Sequence, residues 1–469
     1  MMLRLKFTYT LIRGLPRLLR PECIRKIKVQ NYSKDAFKQL LQRGVIQEVM
    51  PPDNEEVFKL FTSKQCVYCG FDPTADSLHV GNLLAIILML HIQRMGHEVV
   101  AVIGDCTAQI GDPSGRLTER DKMEQKIIEK NVAGLRDNLE AVFKHHEEHF
   151  WKKDRQLVPL RIVQNSEWYN GQSVVPFIGA VGRHFRVGKM MGRTSVQQRL
   201  NSGEGISFAE FSYQMFQSFD WLYLYDKYNC RFQIGGGDQL GNIDSGHDFV
   251  KRIRTKDVYG ILTPLITAET GDKYGKSAGN AVWLNGDKTT PYDFYQFFLR
   301  LSDKEAIKFV KLYAFTDQKE LDDIIEKQMS EPDKRTAQKR LARDLTLLVH
   351  GESGLSLARK ATEVLFGSQP EKTLHTIEEQ DLRTIFGNSS YAQLTMEPGM
   401  TVLDMAMEAK LFPTEEDAVR IINAGGLYIN QKRVCAPLHI LVPGIHILPN
   451  KMTLARVGKK NYCLIKWLI

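Results

Sequence analysis

The segment from Cys66 to Ile103 most restricts the fold that this chain can adopt. Cys66-Val67-Tyr68-Cys69-Gly70-Phe71 reads as a buried strand and is followed by the polar loop DPTADSLHVGN. An apolar helix then runs from about Val80 to Arg94 and is closed by Gly96, and Glu98 to Ile103 supplies the next strand. Strand, helix and strand within about forty residues form a βαβ unit, whose right-handed crossover requires parallel strands. Such sheets bind ligands beyond the carboxyl ends of their strands, where this loop lies. A second turn of the same kind follows Arg231-Phe232-Gln233-Ile234: Gly235-Gly236-Gly237-Asp238-Gln239 opens a helix running through Asp248–Arg252. Its glycines let backbone N–H groups approach a nucleotide unobstructed, although a triple glycine alone is a weak signal. The expected class is α/β, with a Rossmann-type parallel-sheet domain over residues 34–290.

The remainder divides by pattern. Residues 37–46 read as a first helix and Leu262–Thr267 as a strand. From about Pro291 to Lys372 helical periodicities carry dense mixed charge, which predicts an α-helical domain ending near 385. Residues 373–397 read as a connector, and a small α+β unit is expected over 398–469. In that unit Thr414 and Asp417 resemble a capping box, Ala418–Val419 and Ile421–Ile422 form an apolar face, and Gly425–Gly426 stops the helix. Leu427–Asn430 and Tyr462–Ile465 alternate like short strands.

Charge is distributed unevenly. The chain carries a net +8, yet residues 1–33 hold eight basic side chains against Glu22 alone, and residues 418–469 hold eight with no acid. The 384 residues between are net −7. The first stretch is Arg-rich, with Leu11, Leu15 and Leu18 on one helical face and Arg13, Arg17 and Arg20 roughly opposite, the composition of a mitochondrial transit peptide for the matrix. A basic RNA-binding arm is the competing reading. The last stretch reads as a binder of phosphate backbone, against the plainer alternative of a chance basic face. The longest strongly apolar run, Leu83 to Leu90, has eight residues, far short of the roughly 20 that span a bilayer, so no membrane insertion is expected. Seven scattered cysteines argue for free thiols. The lone pair Cys66 and Cys69 has no second CxxC or His pair at zinc spacing, and two partly buried strand cysteines explain it better than metal or redox chemistry.

Three signals carry chemistry, in order: His79-Val80-Gly81-Asn82 at the first helix start, the Gly-rich turn with Asp238 and Gln239, and Lys273-Tyr274-Gly275-Lys276-Ser277 in a loop. His79 and Asn82 at a helix N-terminus can donate to phosphate oxygens and add to the helix's partial positive charge. Lys273 and Lys276 in a Gly-containing loop can close over a leaving group in the transition state. Taken singly, His79 is equally a helix cap and the lysine loop a solvated turn.

Together they resemble the class I aminoacyl-tRNA synthetases, HVGN standing for the family's HIGH motif and KYGKS for its KMSKS motif. The words YCGFDPTADSLHVGN, IGDPSGR, FSYQMFQSFD and QIGGGDQLGN are similar to segments of the bacterial-type tyrosyl-tRNA synthetases, and the similarity covers roughly residues 35–469. Asn82 departs from the second histidine of HIGH; an amide still donates one hydrogen bond, but it supplies no cation.

The resemblance implies ATP with Mg²⁺ bridging its phosphates, L-tyrosine and tRNA(Tyr) as substrates, and no dedicated protein metal site. It implies that Tyr68 and Asp220 reach the substrate phenol hydroxyl, and that Asp112, Tyr213 and Gln217 hold its ammonium with Gln239 nearby. On the ATP side it implies Gly70, Asp72, Thr74, Gly81, Thr107, Gly236, Asp238, Ile266 and Lys276. Asp238 would lie on the ribose, and Arg116 and Arg120, with Lys273, Lys276 and Ser277, on the pyrophosphate side. It further implies a homodimer with its interface in about 120–225, an anticodon-facing role for 291–385, and an S-four-type RNA-binding unit at the end. Arg420, Lys432, Arg433, Lys459 and Lys460 are the candidate RNA contacts. The nearest rival is a tryptophan-specific relative, which needs no partner for a phenol hydroxyl; a non-catalytic RNA-binding descendant is another, against which intact His79, Asp112, Lys273 and Lys276 argue.

Overall fold

The structure is a computed structural model and describes residues 34–116, 118–152, 155–266, 281–367, 373, 380–382, 390–458 and 461–468. Residues 1–33, the KYGKS loop with Lys273, Lys276 and Ser277, and the pair Lys459 and Lys460 lie outside the described residues. Six strands form the larger sheet: β1 (Glu48–Met50), β2 (Cys66–Phe71), β3 (Glu98–Ile103), β4 (Arg161–Gln164), β5 (Cys230–Gly236) and β6 (Tyr259–Thr263). Their order is β1-β6-β5-β2-β3-β4. All neighbours run parallel except β1, which pairs antiparallel with β6 at the edge. The sheet grows to one side after β2 and to the other after β5, so the crevice at their carboxyl ends is a topological switch point.

Two local expectations shift. The first helix, α1 (Lys34–Arg43), ends short of Ile46 because Gly44 adopts φ +78, the left-handed geometry that stops a helix. The strand expected at Leu262–Thr267 is seated earlier, at Tyr259–Thr263, and Pro264 follows its last pair with β5.

Alternation along β2 divides the core. Val67, Cys69 and Phe71 pack with α3 (Val80–Arg94) and α5 (Gln125–Phe150) on one face of the sheet. Cys66 and Tyr68 pack on the other with α10 (Phe208–Tyr228) and α11 (Leu240–Arg254). The two cysteines therefore point to opposite faces and cannot chelate one ion. Between β3 and α10 lie α4 (Thr107–Ile110), α6 (Ser166–Tyr169), α7 (Val174–Ala180), α8 (Val187–Met191) and α9 (Thr194–Leu200).

The helical region comprises α12 (Pro291–Leu299), α13 (Asp303–Tyr313), α14 (Gln318–Ser330) and α15 (Thr336–Phe366). Among the described residues its core is continuous with that of the larger sheet: Phe294, Phe298, Phe309 and Leu345 belong to the same buried cluster as Val67, Leu83 and Leu139. Mixed charge along these helices marks their outer faces and concealed that shared core.

The terminal unit holds β7 (Ser390–Thr395), β8 (Leu427–Ile429), β9 (Lys432–Val434), β10 (Met452–Val457) and β11 (Asn461–Leu468), ordered β7-β11-β10-β8-β9. Two helices, α16 (Val402–Glu408) and α17 (Glu415–Asn423), complete it. β7 pairs in parallel with β11, so the boundary expected at 398 moves back to about 390. With Ala392 and Leu394 between polar neighbours, β7 carried too little apolar signal to be read. The correction changes the charge as well. Residues 390–469 carry nine basic and six acidic side chains, because α17 opens on Glu415, Glu416 and Asp417, and a cut after Asp417 divides that helix. Met452, Leu454 and Leu464 dock the unit against Ala361 and Val364 of α15.

Buried imidazoles make this core acid-sensitive. His146 is fully buried, and its Nε2 faces Arg94 Nη1 at 3.1 Å, so the ring is held neutral as the acceptor. Burial, then Arg94, pushes it down to about 3; burial brings His97 and His350 to about 4. Unfolded imidazoles titrate near 6.5, so between these limits the unfolded chain binds more protons, and stability is lost as pH falls below about 6.5. Urea unfolding from pH 7 to 4.5 should show this slope, and His146→Gln should lower it by about one proton. An unchanged slope would mean that His146 does not titrate on unfolding.

Candidate active site

A cavity of about 420 Å³ opens at the carboxyl ends of β2, β5 and β6. At one end α10 presents Tyr213, Gln217 and Asp220, spaced four and three residues apart, from one helical face. Asp220 Oδ1 accepts from Trp168 Nε1 at 2.8 Å and its Oδ2 from Asn165 Nδ2 at 3.3 Å. Burial pushes Asp220 up to about 7 despite these donors. Tyr68, on the same side of β2, is 2% exposed, and burial and then Asp220 hold its phenol well above the usual range. Among the described residues its buried hydroxyl has no hydrogen-bond partner, nor have Gln217 Oε1 and Gln233 Oε1 in the same cavity. Buried polar atoms of this kind normally find partners, so three orphans lining one cavity mark where a polar ligand sits.

Two further carboxylates are tied in. Asp72 Oδ2 accepts from the Tyr213 hydroxyl at 2.7 Å and Oδ1 from Thr107 Oγ1 at 2.8 Å. Gly104 is what lets these groups meet, since a Cβ there would lie 2.2 Å from both Asp72 Oδ1 and Thr107 Oγ1. Burial raises Asp72 to about 6, the Tyr213 bond working against it and Asp112 with it. Asp72, expected with the nucleotide, thus joins the residues expected around the ammonium. Asp112 accepts from Gln239 Nε2 at 2.7 Å, Asn242 Nδ2 at 3.2 Å and the Ser114 backbone at 3.0 Å.

At the other end the N-terminus of α3 faces the cavity. His79 is its N-cap: Nδ1 accepts from Gly81 N at 3.0 Å, while the Asn82 side-chain oxygen accepts from His79 N at 3.1 Å. The cap and the phosphate-donor readings are therefore compatible. Because Nδ1 accepts, the imidazole proton is on Nε2, and because Asn82 Oδ1 accepts, its amide nitrogen remains the donor. Gly70, Thr74, Gly81, Gly236, Asp238 and Ile266 line this end. A Cβ at Gly236 would come within 2.8 Å of Asp238 Oδ1. Arg116 and Arg120 reach the same space, and Arg120 Nε and Nη1 are buried with no hydrogen-bond partner among the described residues.

Sequence reasoning missed Asn165, Trp168, Gln233 and Trp283, which act through contacts rather than spacing. No local pattern distinguishes an indole N–H aimed at Asp220 from an ordinary core tryptophan.

The RNA candidates are less uniform. Arg433 Nε and Nη2 donate to Gly425 O at 2.9 Å and Ala424 O at 2.8 Å, capping the carboxyl end of α17. Arg420 pairs with Asp417 at 2.7 Å. Lys432 is exposed on β9. Arg456, absent from the expected set, lies 3.9 Å over the Tyr428 ring.

Among the described residues no group of three His, Cys, Asp or Glu side chains is arranged to hold a metal ion, and no helix is long and apolar enough to cross a membrane.

Comparison with known proteins points one way. The family model for class I tRNA synthetases (W and Y) matches residues 62–367. A mitochondrial tyrosine–tRNA ligase of Drosophila melanogaster is 47% identical over 441 residues, covering 93% of this chain and 95% of the relative. The mitochondrial tyrosine–tRNA ligase of Homo sapiens is 44% identical over 433 residues, covering 91% and 90%. Among solved structures, a C-terminally truncated mitochondrial tyrosyl-tRNA synthetase of Aspergillus nidulans superposes with a TM-score of 0.64 at 30% identity, covering 71% of this chain and 94% of that one.

Proposed function

The chain belongs to the class I tRNA synthetases of the tryptophan and tyrosine type, and from that premise we propose how its own residues perform the reaction. Its function is that of a mitochondrial tyrosine–tRNA ligase, which activates tyrosine with ATP and transfers it to tRNA. The single observation that carries the residue assignment is the buried Tyr68 hydroxyl, which has no partner among the described residues and shares a cavity with the Asp220 carboxylate. A substrate phenol placed there donates to Asp220 and accepts from Tyr68, whereas phenylalanine leaves both unpaired. Tyrosyl-tRNA synthetase is the standard instance of such rejection, about 10⁵-fold without editing. Asp72, Asp112 and Gln217 receive the ammonium; an arriving cation favours ionised Asp72, against the burial that raises it to about 6.

Adenylate formation needs no protein nucleophile. The tyrosine carboxylate attacks the ATP α-phosphorus in line, that P–O bond forms, and the bond to pyrophosphate breaks. The site therefore works by positioning two anions and neutralising developing charge. His79 Nε2–H, the Asn82 amide and the α3 N-terminus donate to phosphate oxygens. Arg116, Arg120, Lys273 and Lys276, with Ser277, take the pyrophosphate side, and Asp238 takes the ribose. Mg²⁺ would accompany the nucleotide and supply charge neutralisation at its phosphates. In the second step the terminal ribose hydroxyl of tRNA(Tyr) attacks the adenylate carbonyl and AMP leaves.

A homodimer is supported by Val174, Val175, Val187 and Phe208, which are 76%, 82%, 60% and 77% exposed on the 120–225 segment. Large apolar side chains exposed on three helices of one segment are what a subunit interface would cover. The basic first 33 residues support import to the matrix.

Charging of tRNA(Tyr) with tyrosine tests the reading, measured across a salt series. Lys432→Ala should lower the log–log salt slope of tRNA binding by about one unit while tyrosine activation is unchanged. An unchanged slope removes Lys432 from the interface.

A further inference from the structure

The strap formed by residues 282–284 lies directly against the start of α3. Val80 N donates to Val282 O at 2.9 Å and Leu284 N to Leu78 O at 2.8 Å, so His79 and Trp283 face each other as an isolated antiparallel pair. The two bonds flank the pair instead of joining it, the arrangement in which opposed side chains come closest. The rings accordingly meet edge to face, with centroids 6.0 Å apart and planes at 68°. Trp283 is itself fixed from behind. Its backbone N–H donates to Thr289 Oγ1 at 2.9 Å, and Lys288 Nζ lies 4.6 Å from the indole centroid. Lys288 also pairs with Asp76, which takes Lys130 at 3.2 Å, and Asn285 N donates to Ser77 Oγ at 3.1 Å. The strap thus grips both sides of the loop that ends at His79.

This arrangement goes beyond capping. The Gly81 N–H holds His79 Nδ1 at one point of the ring. The Trp283 indole bounds the imidazole from a second direction, and both residues line the cavity. We infer that Trp283 is a positioning residue for adenylate formation, acting through His79: its indole fixes the imidazole so that Nε2–H meets the phosphate as charge develops. The inference rests on the phosphate role assigned to His79, and it adds a group that touches no reacting atom.

A ring held within a few tenths of an ångström contributes to the transition state in a way that a swinging ring cannot. Trp283→Ala should therefore lower kcat for ATP–pyrophosphate exchange by about tenfold with KM for tyrosine unchanged, and Trp283→Phe, which keeps an aromatic edge, should stay within about threefold of the parent. The decisive comparison is the double-mutant cycle with His79→Ala. In the full-length chain, Trp283→Ala should cost less than about twofold once His79 is gone, because its effect passes through that ring. Equal costs in both backgrounds would overturn the inference, as would a rise in tyrosine KM matching the fall in kcat. If His79→Ala alone leaves exchange unchanged, the phosphate role of His79 fails first, which separates the two claims. Misfolding would also lower apparent kcat at unchanged KM by reducing the amount of active enzyme, so thermal unfolding and active-site titration of each variant put every rate on the scale of folded enzyme, and a fall in kcat that disappears on that scale would overturn the inference.

Discussion

Replacing Asp220 with alanine is expected to lower kcat/KM for tyrosine activation by about 10²- to 10³-fold, while that for phenylalanine changes by less than about tenfold. The carboxylate is 6% exposed and receives Trp168 Nε1 and Asn165 Nδ2. Its removal orphans both donors and the substrate hydroxyl together, and losing a charge-assisted bond in a buried site costs on the order of 3 kcal/mol, which is the stated range. Phenylalanine never made that bond, so its own activation has little to lose, and discrimination collapses from the tyrosine side. Tyr68→Phe should act in the same direction but by only about tenfold, since it removes one neutral hydrogen bond. Steady-state exchange kinetics with the two amino acids check both. An equal loss for tyrosine and phenylalanine would mean that Asp220 maintains the fold of α10 and does not read the hydroxyl.

The second large effect concerns stability. Arg199 and Glu210 are 1% and 2% exposed, and Arg199 Nη2 donates to Glu210 Oε2 at 2.8 Å while its Nε donates to Gly205 O at 3.2 Å. Two charges removed from water approximately balance each other when paired, but breaking the pair strands one of them. Glu210→Ala should therefore destabilise the chain by about 3–5 kcal/mol, whereas Arg199→Leu combined with Glu210→Leu should cost far less, because no buried charge is left over. Urea unfolding of the single and double variants makes the comparison. A single variant within about 1 kcal/mol of the parent would show that water reaches the guanidinium, and the pair would then carry little weight in holding α9 against α10.

Much of this was legible in the sequence for a physical reason: phosphate chemistry at helix N-termini depends on short contiguous words. HVGN and the triple-glycine turn place His79, Asn82 and Asp238 at one cavity because each word sits where a strand ends and a helix begins. Residues that reach the site from several elements were readable only through family resemblance: Tyr68 from β2, Asp112 beyond β3 and Asp220 from α10 share no local pattern. The groups holding these residues in place were not readable at all. Trp168, Asn165 and Trp283 act across 52, 55 and 204 positions of the chain, and nothing in a local window reports such contacts. Charge says less than contacts do. Arg433 and Arg420 were singled out because they are basic, and the structure also gives each a protein partner, one capping a helix and the other pairing with Asp417. The basic tail shrank once β7 and the acidic start of α17 joined it.

The sheet boundaries follow the same logic. β2 and β3 are long apolar runs buried on both faces, and they stand where the pattern put them. β1, with three residues, has no periodicity to detect and exists only because β6 offers it an edge.

The most direct measurement is ATP–pyrophosphate exchange by the purified full-length chain, with tyrosine, tryptophan and phenylalanine each offered alone. The structure and the family predict exchange with tyrosine, and activity with the other two lower by orders of magnitude. Exchange driven by tryptophan would contradict the pairing of Tyr68 and Asp220 with a phenol, and exchange with none of the three would contradict the catalytic reading as a whole.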